Sequence, residues 1–544
     1  MNPRRITCDF LCIGGGIGGL AAAVRAADLG METVLLEKSG MLGGVAAYSF
    51  GHVWMGNNHL QESLGLTDSA ADVLNYLAYA TGGLPYDRNL RASYVEYGPE
   101  AIRYYADTAG IEFQIIRDFP DHYFPNAPGS KPEGRLLEVT CHGNSLGPWQ
   151  HKTRLSPHTP SGLTRTEIIH GGGARAFENM AALHAKRTKD DFRTLGPGLA
   201  AAFVKAAVVD RQVKVMLGVQ TERLLMNDDQ VVGARCWDKD GVFELSARRG
   251  VLIATSSYGN APYAASAEHL PEIFEASPPY LDGDNLRLAD ETPAAIVRAG
   301  KAFTVLGMHV PGETHPENDK PLYRQVFASL GYPHSIVVNA SGQRFGDESY
   351  HGPESVKDFD QEAVRFRNYP CFLIVDDRYR KQYSIGPFNP GDDWSASFAS
   401  ARTIAALAEA LGIDPKGLAS TVANFNQGAS RGADPEFKRG QLTHIQKAYG
   451  DPAYPNPNLG TLEVPPFWGI RLVLLGAGIY GLGIAIDGFA RALRRNGEPV
   501  HGLYATGNAT AHTDLPTYLG GNANARGIVF GYLAASHAAK ARGS

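Results

Sequence analysis

The sequence has few cysteines, no excess of basic residues and no long hydrophobic run. Its spacing of cysteines fits neither a zinc site nor a disulfide framework, so we expect reduced thiols and no metal centre at Cys8, Cys12, Cys141, Cys236 and Cys371. A net charge of -5 argues against a basic surface that would gather the phosphates of a nucleic acid. The expected partner is therefore a small molecule.

Signals for membrane insertion and secretion are also missing. No segment reaches the roughly 20 uncharged apolar residues that a membrane-spanning helix requires. The segment from Met1 to Phe10 carries two arginines, but no cleavage-site pattern follows it. These features predict a cytoplasmic protein, with loose association at a membrane surface left open.

Apolar residues are plentiful enough for a large core. The chain has 544 residues, of which 44% are hydrophobic and 20% are charged, as in ordinary soluble proteins. Because this length exceeds that of a typical single domain, we expect at least two domains.

A strand, a glycine-rich turn and a helix open the chain. Asp9 to Ile13 is predicted to be a buried strand, Leu20 to Leu29 a helix of small residues, and Thr33 to Leu36 a second strand. The turn from Gly14 to Gly19 satisfies the G-x-G-x-x-G pattern, and Glu37 follows about 20 residues later. This arrangement predicts a βαβ unit that binds a dinucleotide.

Each glycine of the turn has a physical role in that prediction. Gly14 permits a sharp turn, Gly16 lets the backbone approach a pyrophosphate, and Gly19 lets helix and strand pack closely. Ile17 and Gly18 stand at the helix N-terminus, where unpaired N–H groups can bind phosphate oxygens.

The residues after the second strand favour FAD over NAD. Glu37 is predicted to accept hydrogen bonds from the adenosine ribose. A second glycine-rich turn, Gly43 to Ser49, stands where an extended FAD would continue past its pyrophosphate. Gly502 to Asn508 is predicted to be a strand and turn near the ribityl chain. A helix that begins between about Asn522 and Ala525 is predicted to point its positive end at flavin N1 and the C2 carbonyl. We expect FAD to be bound without a covalent bond by Gly14, Gly16, Ile17, Gly18, Gly19, Glu37, Lys38, Gly43, Gly44, Ser49, Ala254, Thr255, Gly507, Asn508, Asn522 and Asn524.

The later elements predict that the first domain is discontinuous. Four further strands are predicted before residue 260, separated by Asn-Asp-Asp and Lys-Asp-Gly turns: Val213 to Met216, Val231 to Trp237, Val242 to Ala247 and Gly250 to Ala254. The stretch after residue 302 is rich in loops, with one helix from Ala401 to Leu411, whereas a strand from Leu503 to Thr506 and a helix from Ala525 to Ala538 close the first domain. The predicted fold is α/β: a Rossmann-type, glutathione-reductase-like FAD-binding domain in residues 1–297 and 465–544, with an inserted α+β substrate or capping domain in residues 298–464.

With these motifs in place, the chain resembles the FAD-dependent fumarate reductase/succinate dehydrogenase flavoproteins and is most similar to the 3-ketosteroid Δ1-dehydrogenases. The resemblance spans nearly the whole length and is carried by Ala47-Tyr48-Ser49 with Trp54, Phe119 to Tyr123, Ser335 to Asn339, Gly342 to Glu348, Tyr449 to Asp451, Gly502 to Asn508 and Thr517-Tyr518. It implies an FAD-dependent oxidoreductase acting on CH–CH groups, with a ketone or enone substrate, steroids included, and an electron acceptor.

The resemblance also implies catalytic roles. A tyrosine of the ketosteroid enzymes matches Tyr518, where fumarate reductases place an arginine, and a phenol can polarise a neutral ketone but cannot neutralise a dicarboxylate. We expect Tyr518 and a backbone N–H, of Gly521 or Asn522, to stabilise the enolate oxygen. Tyr350 is expected to take the α-proton, supported by Tyr123, while flavin N5 accepts the β-hydride.

Three short segments depart from the ketosteroid pattern. Leu519-Gly520-Gly521-Asn522 matches the Leu-Gly-Gly-Asn of fumarate reductases, Ala254-Thr255-Ser256-Ser257 stands where relatives have Ala-Thr-Gly-Gly, and Gly478-Ile479-Tyr480-Gly481 replaces a Gly-Thr-x-Gly turn. These departures concern the substrate more than the cofactor.

Two other functions are compatible with the same motifs. One is an FAD-dependent reductase of an activated alkene, which would call for paired arginines, although near Tyr518 only Arg526 is available. The other is a flavin-binding protein without enzymatic activity. His52 and His512 flank the motifs, and we interpret them as structural or solvated histidines rather than proton shuttles.

Overall fold

The computed structural model describes residues 4–82, 88–349, 354–511 and 519–541. Its α-helices span Ile17–Asp28, Leu60–Ser63, Ala70–Ala80, Arg88–Asp107, Arg165–His170, Ala176–Asn179, Ala181–Lys189, Leu195–Val204, Ala264–Ala267, Asp284–Asp290, Asp377–Gln382, Ile404–Leu411, Pro415–Ala429, Thr443–Tyr449 and Asn522–Lys540.

A largely parallel sheet is built around the first strand of the chain. Across the sheet, the strands are Arg491–Leu493, Pro499–Ala505, Gln230–Asp238, Gly241–Ile253, Arg4–Ile13, Thr33–Glu37 and Lys214–Leu217, and Gln220–Asn227 pairs with Gln230–Asp238. The central strand Arg4–Ile13 runs parallel to both of its neighbours. Its last four residues are buried, as expected for a parallel strand that is covered on both faces.

Two helices of small residues pack together against this sheet. Helix Ile17–Asp28 buries Gly18 and a run of alanines, and it contacts helix Asn522–Lys540 closely. A Cβ atom added at Gly531 would lie 2.7 Å from the carbonyl oxygen of Gly18, so only glycine allows this approach. The close packing brings the N-terminal ends of both helices to the same edge of the sheet.

A second sheet follows in the chain. Its order is Pro321–Gln325, Thr304–Thr314, Phe467–Gly476, Cys371–Val375 and Ser335–Asn339, and both Phe274–Glu275 and Ala399–Ala401 pair with Phe467–Gly476. The smaller sheets pair Ile296–Arg298 with Leu482–Ile484, Phe359–Asp360 with Arg365–Phe366, Cys141–His142 with Phe192–Arg193, and Leu136–Val139 with Val53–Trp54 and Phe113–Ile115. Strand Phe467–Gly476 lies beyond the predicted boundary at residue 464 and pairs with strands on the other side of it. The domain limits themselves stay predictions.

Several predicted elements differ from those observed. Val242 to Ala247 and Gly250 to Ala254, predicted as two strands, form the single strand Gly241–Ile253, because pairing with the first strand continues across Gly250 after a register shift. Gly250 has a φ of 149°, an irregularity that the sequence presents as a break. The first helix begins at Ile17 rather than Leu20. The helix predicted from Ala401 begins at Ile404, because Ala399–Ala401 is a strand and Thr403 caps the helix.

Candidate functional site

A large cleft opens at the carboxyl end of the parallel sheet. Most of the residues predicted to bind the dinucleotide line it: Gly14, Gly16, Ile17, Gly18, Glu37, Lys38, Gly44, Ser49, Ala254, Thr255, Gly507, Asn508 and Asn524, together with Gly521. These residues come from both ends of the chain, so the cleft is assembled by the sheet rather than by one segment.

The glycine turn is held by very close backbone contacts. A Cβ atom at Gly14 would lie 2.3 Å from the carbonyl oxygen of Ala254, and one at Gly19 would lie 2.0 Å from that of Gly14. Gly19 therefore allows the helix and the turn to pack closely, and it does not line the cleft. At Gly16 an added Cβ would meet nothing nearer than the Cα of Gly44, at 3.7 Å. Gly16 thus keeps open the space beside the helix N-terminus, as a bound pyrophosphate requires.

Glu37 and Lys38 end the second strand inside the cleft. The Glu37 carboxylate accepts hydrogen bonds from the N–H of Gly15 at 2.8 Å and from the N–H and hydroxyl of Ser39 at 2.9 and 2.8 Å. Lys38 forms ion pairs of 2.8 Å with Asp282 and Asp284. Protein contacts alone therefore hold both side chains in place. The cleft is pre-organised in this way for the ribose contact predicted for Glu37.

The second glycine-rich turn joins the first. The N–H of Gly43 donates to the carbonyl oxygen of Gly15 at 2.9 Å, and Gly43 itself packs outside the cleft lining. The residues from Gly44 to Tyr48 form a 3₁₀ helix. Ser49 then lies at the cleft wall, where its hydroxyl accepts a hydrogen bond of 3.3 Å from the Asn524 side chain.

The start of the C-terminal helix reaches the same wall. Gly521 caps the helix in the left-handed conformation, with a φ of 85°, and a Cβ there would lie 2.9 Å from the Trp54 nitrogen. Asn524 donates a hydrogen bond of 2.9 Å to the carbonyl oxygen of His52. Asn522, also predicted to contact the cofactor, is buried and lines a smaller neighbouring cavity instead.

The residues present fit a dinucleotide cofactor. Besides the open space at Gly16, the hydroxyls of Thr255 and Ser256 are buried at the cleft without a hydrogen-bond partner in the part of the chain that the structure describes. Buried polar atoms without partners are costly, and a ligand with polar groups would satisfy them.

Some cleft residues were not predicted from the sequence. Phe50, Phe303 and Phe327 form an apolar part of the wall, and Gln325 and Arg154 contribute polar groups. Arg154 is paired with Glu317 at 2.7 Å and donates to the Ser39 hydroxyl at 2.7 Å. It comes from a loop region without periodicity, so no local pattern marks it.

The predicted catalytic tyrosines are placed only in part. Tyr518 and Tyr350 lie outside the described residues, as does His512. Tyr123 packs near Tyr76 and Tyr79, with ring centroids 6.4 and 6.1 Å apart, and does not line the cleft.

The loop that carries Tyr123 does approach the C-terminal helix. A Cβ at Gly520 would lie 2.5 Å from the ring of His122. Asp121 anchors this loop by accepting from the Trp54 indole at 2.8 Å and pairing with Arg135 at 3.0 Å. The predicted supporting loop and the segment just after Tyr518 are therefore neighbours.

His52 is a buried histidine beside the cleft. Burial holds its pKa well below the usual range, and the neighbouring Arg165 and His444 act in the same direction. It is therefore neutral at pH 7, as expected for a structural histidine.

Fold and cleft together define a dinucleotide-binding flavoprotein. The chain belongs to the FAD binding domain family, whose model matches residues 9–523, and FAD is its cofactor. It is 31% identical to 4-oxocyclohexanecarboxylate 2-dehydrogenase of Sinomonas cyclohexanicum, over 98% of this chain and 93% of the relative. It is 29% identical to 3-oxosteroid 1-dehydrogenase of Mycobacterium tuberculosis, over 98% of this chain and 99% of the relative.

A solved structure is similar throughout. The 3-ketosteroid delta1-dehydrogenase from Sterolibacterium denitrificans in complex with 1,4-androstadiene-3,17-dione matches with a TM-score of 0.86 and 29% identity, covering 98% of this chain and 99% of that chain. The resemblance inferred from the motifs is confirmed, and the chain is an FAD-dependent oxidoreductase that acts on carbon–carbon bonds.

Two other structural findings concern ligands and membranes. Within the described ranges, no group of three or more His, Cys, Asp or Glu side chains could hold a metal ion, and the five cysteines are buried and unpaired. None of the helices there combines the length and the apolar character needed to cross a membrane.

Proposed function

We propose that the chain is a dehydrogenase that introduces a C=C bond next to the ketone of a cyclic substrate. The observation that carries this proposal is the position of Gly521. It lines the FAD cleft three residues after Tyr518 in the sequence, and its backbone N–H has no hydrogen-bond acceptor among the described residues. A free donor at that position suits the oxygen of a ketone that becomes an enolate.

The two candidate backbone donors are not equivalent. The N–H of Asn522 donates to the carbonyl oxygen of Leu519 at 3.1 Å and is therefore engaged. This favours Gly521 over Asn522 as the donor to the substrate. Gly521 is the N-cap of the C-terminal helix, whose N-terminus adds positive potential beside this N–H.

The proposed chemistry uses an electrophile and a base. An α-proton is weakly acidic until the carbonyl oxygen is stabilised, so the Tyr518 hydroxyl and the Gly521 N–H donate to that oxygen. Tyr350, ionised to its phenolate, accepts the α-proton and becomes a neutral phenol, and Tyr123 acts as a positioning residue. Bound FAD supplies the acceptor for the hydride that leaves the β-carbon.

The apolar part of the cleft contributes by excluding water. Phe50, Phe303 and Phe327 line the same cleft as Gly521 and Asn524. Hydrogen bonds to a developing enolate are stronger in such surroundings than in water. In this proposal the Rossmann-type half holds FAD, and the inserted α+β domain of the second sheet caps the substrate.

The names of the relatives suggest two substrate classes, oxocyclohexanecarboxylates and 3-oxosteroids. Purified protein should be mixed anaerobically with 4-oxocyclohexanecarboxylate, a neutral cyclohexanone and a 3-ketosteroid, and turnover followed with an artificial electron acceptor. We expect at least one ketone to bleach the flavin absorbance directly. If the reduced protein is instead reoxidised by an activated alkene and no ketone bleaches it, the protein is a reductase and the proposal fails.

A further inference from the structure

One buried arginine differs from all the others that the structure describes. Six arginines are at most 5% exposed: Arg135, Arg154, Arg165, Arg193, Arg344 and Arg439. Five of them form ion pairs with Asp or Glu at 2.6–3.3 Å. Arg165 has no such pair among the described residues. Burying a charge is costly unless it is paired, so an unpaired buried guanidinium needs an explanation.

The hydrogen bonds of Arg165 also leave donors unused. Its Nη2 donates to the carbonyl oxygen of Ala448 at 3.0 Å, while its Nε is buried and has no partner in the described chain. The nearby Glu138 forms no ion pair with the guanidinium, because its carboxylate instead accepts from the backbone N–H of Arg165 and from Thr166, whose hydroxyl lies at 2.6 Å. Burial raises the pKa of Glu138, which weakens it further as a counter-ion.

Aromatic rings surround the guanidinium. Its Cζ lies 5.3 Å from the ring centroid of Phe50, 5.2 Å from that of Phe119 and 5.4 Å from that of Tyr449. Such contacts hold a planar cation in place. They do not supply the pair of hydrogen-bond acceptors that two parallel N–H groups of a guanidinium can bind. Burial lowers the pKa of Arg165, although the group stays charged.

A second buried nitrogen without a hydrogen-bond partner among the described residues lies beside two of these rings, Phe50 and Phe119. His52 Nε2 is buried without a partner among the described residues, and its ring stands 6.0 Å from that of Phe50 and 5.8 Å from that of Phe119. Phe50 therefore contacts both side chains, and it also lines the FAD cleft. His52 also lies close to Gly521, the proposed donor to the substrate, since a Cβ atom added at Gly521 would lie 3.1 Å from the Cβ of His52.

We propose that Arg165 binds a carboxylate of the substrate, which makes the substrate a cyclic keto acid rather than a steroid. This inference rests on the proposed function, because it places the ketone oxygen at Gly521 and the carboxylate at Arg165, beside Phe50. A carboxylate supplies both the missing charge and a pair of acceptors in the geometry that a guanidinium prefers. The neutral rings of a steroid supply neither, so they would leave the cation unpaired.

The first test uses the unmodified holoenzyme and needs no turnover. Cyclohexanecarboxylate has the carboxylate but no ketone, and its methyl ester differs only by the loss of charge. We expect the acid to perturb the flavin spectrum with a Kd at least about 10-fold below that of the ester. Equal binding of acid and ester would overturn the proposal. Because neither compound can be dehydrogenated beside a ketone, this result does not depend on the proposed reaction.

The second test compares variants on a matched pair of ketones. For 4-oxocyclohexanecarboxylate against its methyl ester, Arg165→Met should lower the ratio of the two kcat/KM values by about 100-fold, and Arg165→Lys should lower it less. Arg193→Met removes a buried arginine that has its own carboxylate partner, Asp191, so it should leave the ratio unchanged. If Arg165→Met lowers both values equally, Arg165 is structural and the inference fails while the proposed function stands. If no ketone reduces the flavin of the unmodified protein, the proposed function fails instead.

Discussion

The backbone N–H of Gly15 donates a hydrogen bond of 2.8 Å to the carboxylate of Glu37. This bond ties the glycine turn to the end of the second strand, and the same carboxylate also holds the N–H and hydroxyl of Ser39. The turn is thus fixed by the protein itself. Its neighbour Gly16 is left with free space on the cleft side, so the two adjacent glycines have different roles.

Gly16→Ala should separate cofactor binding from stability. Gly16 has a φ of -82°, which alanine adopts easily, and the added Cβ would lie 3.7 Å from the nearest protein atom. We expect the free energy of unfolding of the apoprotein to change by less than about 1 kcal/mol. The Kd for FAD should rise at least about 10-fold, because the methyl group occupies the space of the pyrophosphate. Urea unfolding and FAD titration measure the two quantities.

Gly40→Ala is the matched control for this prediction. Gly40 lies in a loop after the same strand, and an added Cβ would meet nothing within 4 Å. It should change neither quantity. An unaltered FAD affinity in Gly16→Ala would show that the cofactor does not pass close to this turn.

Tyr518→Phe tests the proposed electrophile. Loss of the hydroxyl removes one of two donors to the enolate oxygen, so turnover should fall by about 100-fold or more. The flavin content per chain should stay intact, as measured from the ratio of flavin to protein absorbance. Tyr79→Phe, a change at a tyrosine that is 48% exposed, is the control and should leave turnover as it was. Equal loss of flavin and turnover in Tyr518→Phe would mean that the residue is structural.

The part of the site that follows local rules could be predicted from the sequence. The glycine turn and Glu37 are marked by spacing within a single βαβ unit, because close backbone approaches there demand glycine. Arg154, Gln325 and Phe327 could not be found in this way. Arg154 comes from a loop, Gln325 ends a strand of the second sheet and Phe327 follows that strand, so tertiary packing brings them together at the cleft. A local pattern carries no information about such long-range contacts.

Long-range contacts also explain why the single strand Gly241–Ile253 was predicted as two strands. The glycine at position 250 suggested a break between two strands, since glycine is unfavourable inside a strand. Pairing with the buried first strand outweighs that local preference. Likewise, nothing around Arg165 in the sequence marks it as the buried arginine without a carboxylate partner, because its neighbours are determined by tertiary packing.

Ser256→Gly should stabilise the apoprotein. Ser256 has a φ of 64°, in the left-handed region that favours glycine, and the resembled enzymes have glycine there. We expect the free energy of unfolding to rise by about 1 kcal/mol, because relief of strain outweighs the added entropy of the unfolded chain. Ser256→Ala is the control: it removes the unpartnered hydroxyl but keeps the strain. An equal gain in both variants would assign the effect to the hydroxyl, and a loss in Ser256→Gly would contradict the prediction.

His444 should make the protein less stable as the pH falls. Burial lowers the pKa of His444 from 6.5 to about 3, and the Pro120 carbonyl oxygen lies 2.8 Å from its Nδ1. The unfolded chain therefore binds a proton below about pH 6.5 that the folded chain does not bind. The free energy of unfolding keeps its full value above that pH. Below it, His444 should reduce this free energy by about 1 kcal/mol per pH unit, continuing towards pH 3.

His444→Phe removes this titration while keeping an aromatic ring beside Phe119, whose ring centroid lies 4.3 Å away. Urea unfolding at pH 7.5, 6.5 and 5.5 should therefore give a shallower pH dependence in the variant than in the unmodified protein, even if the lost hydrogen bond lowers stability at every pH. Parallel curves for His444→Phe and the unmodified protein would show that His444 takes up a proton as readily in the folded chain as in the unfolded chain, and the buried neutral state below pH 6.5 would have to be abandoned.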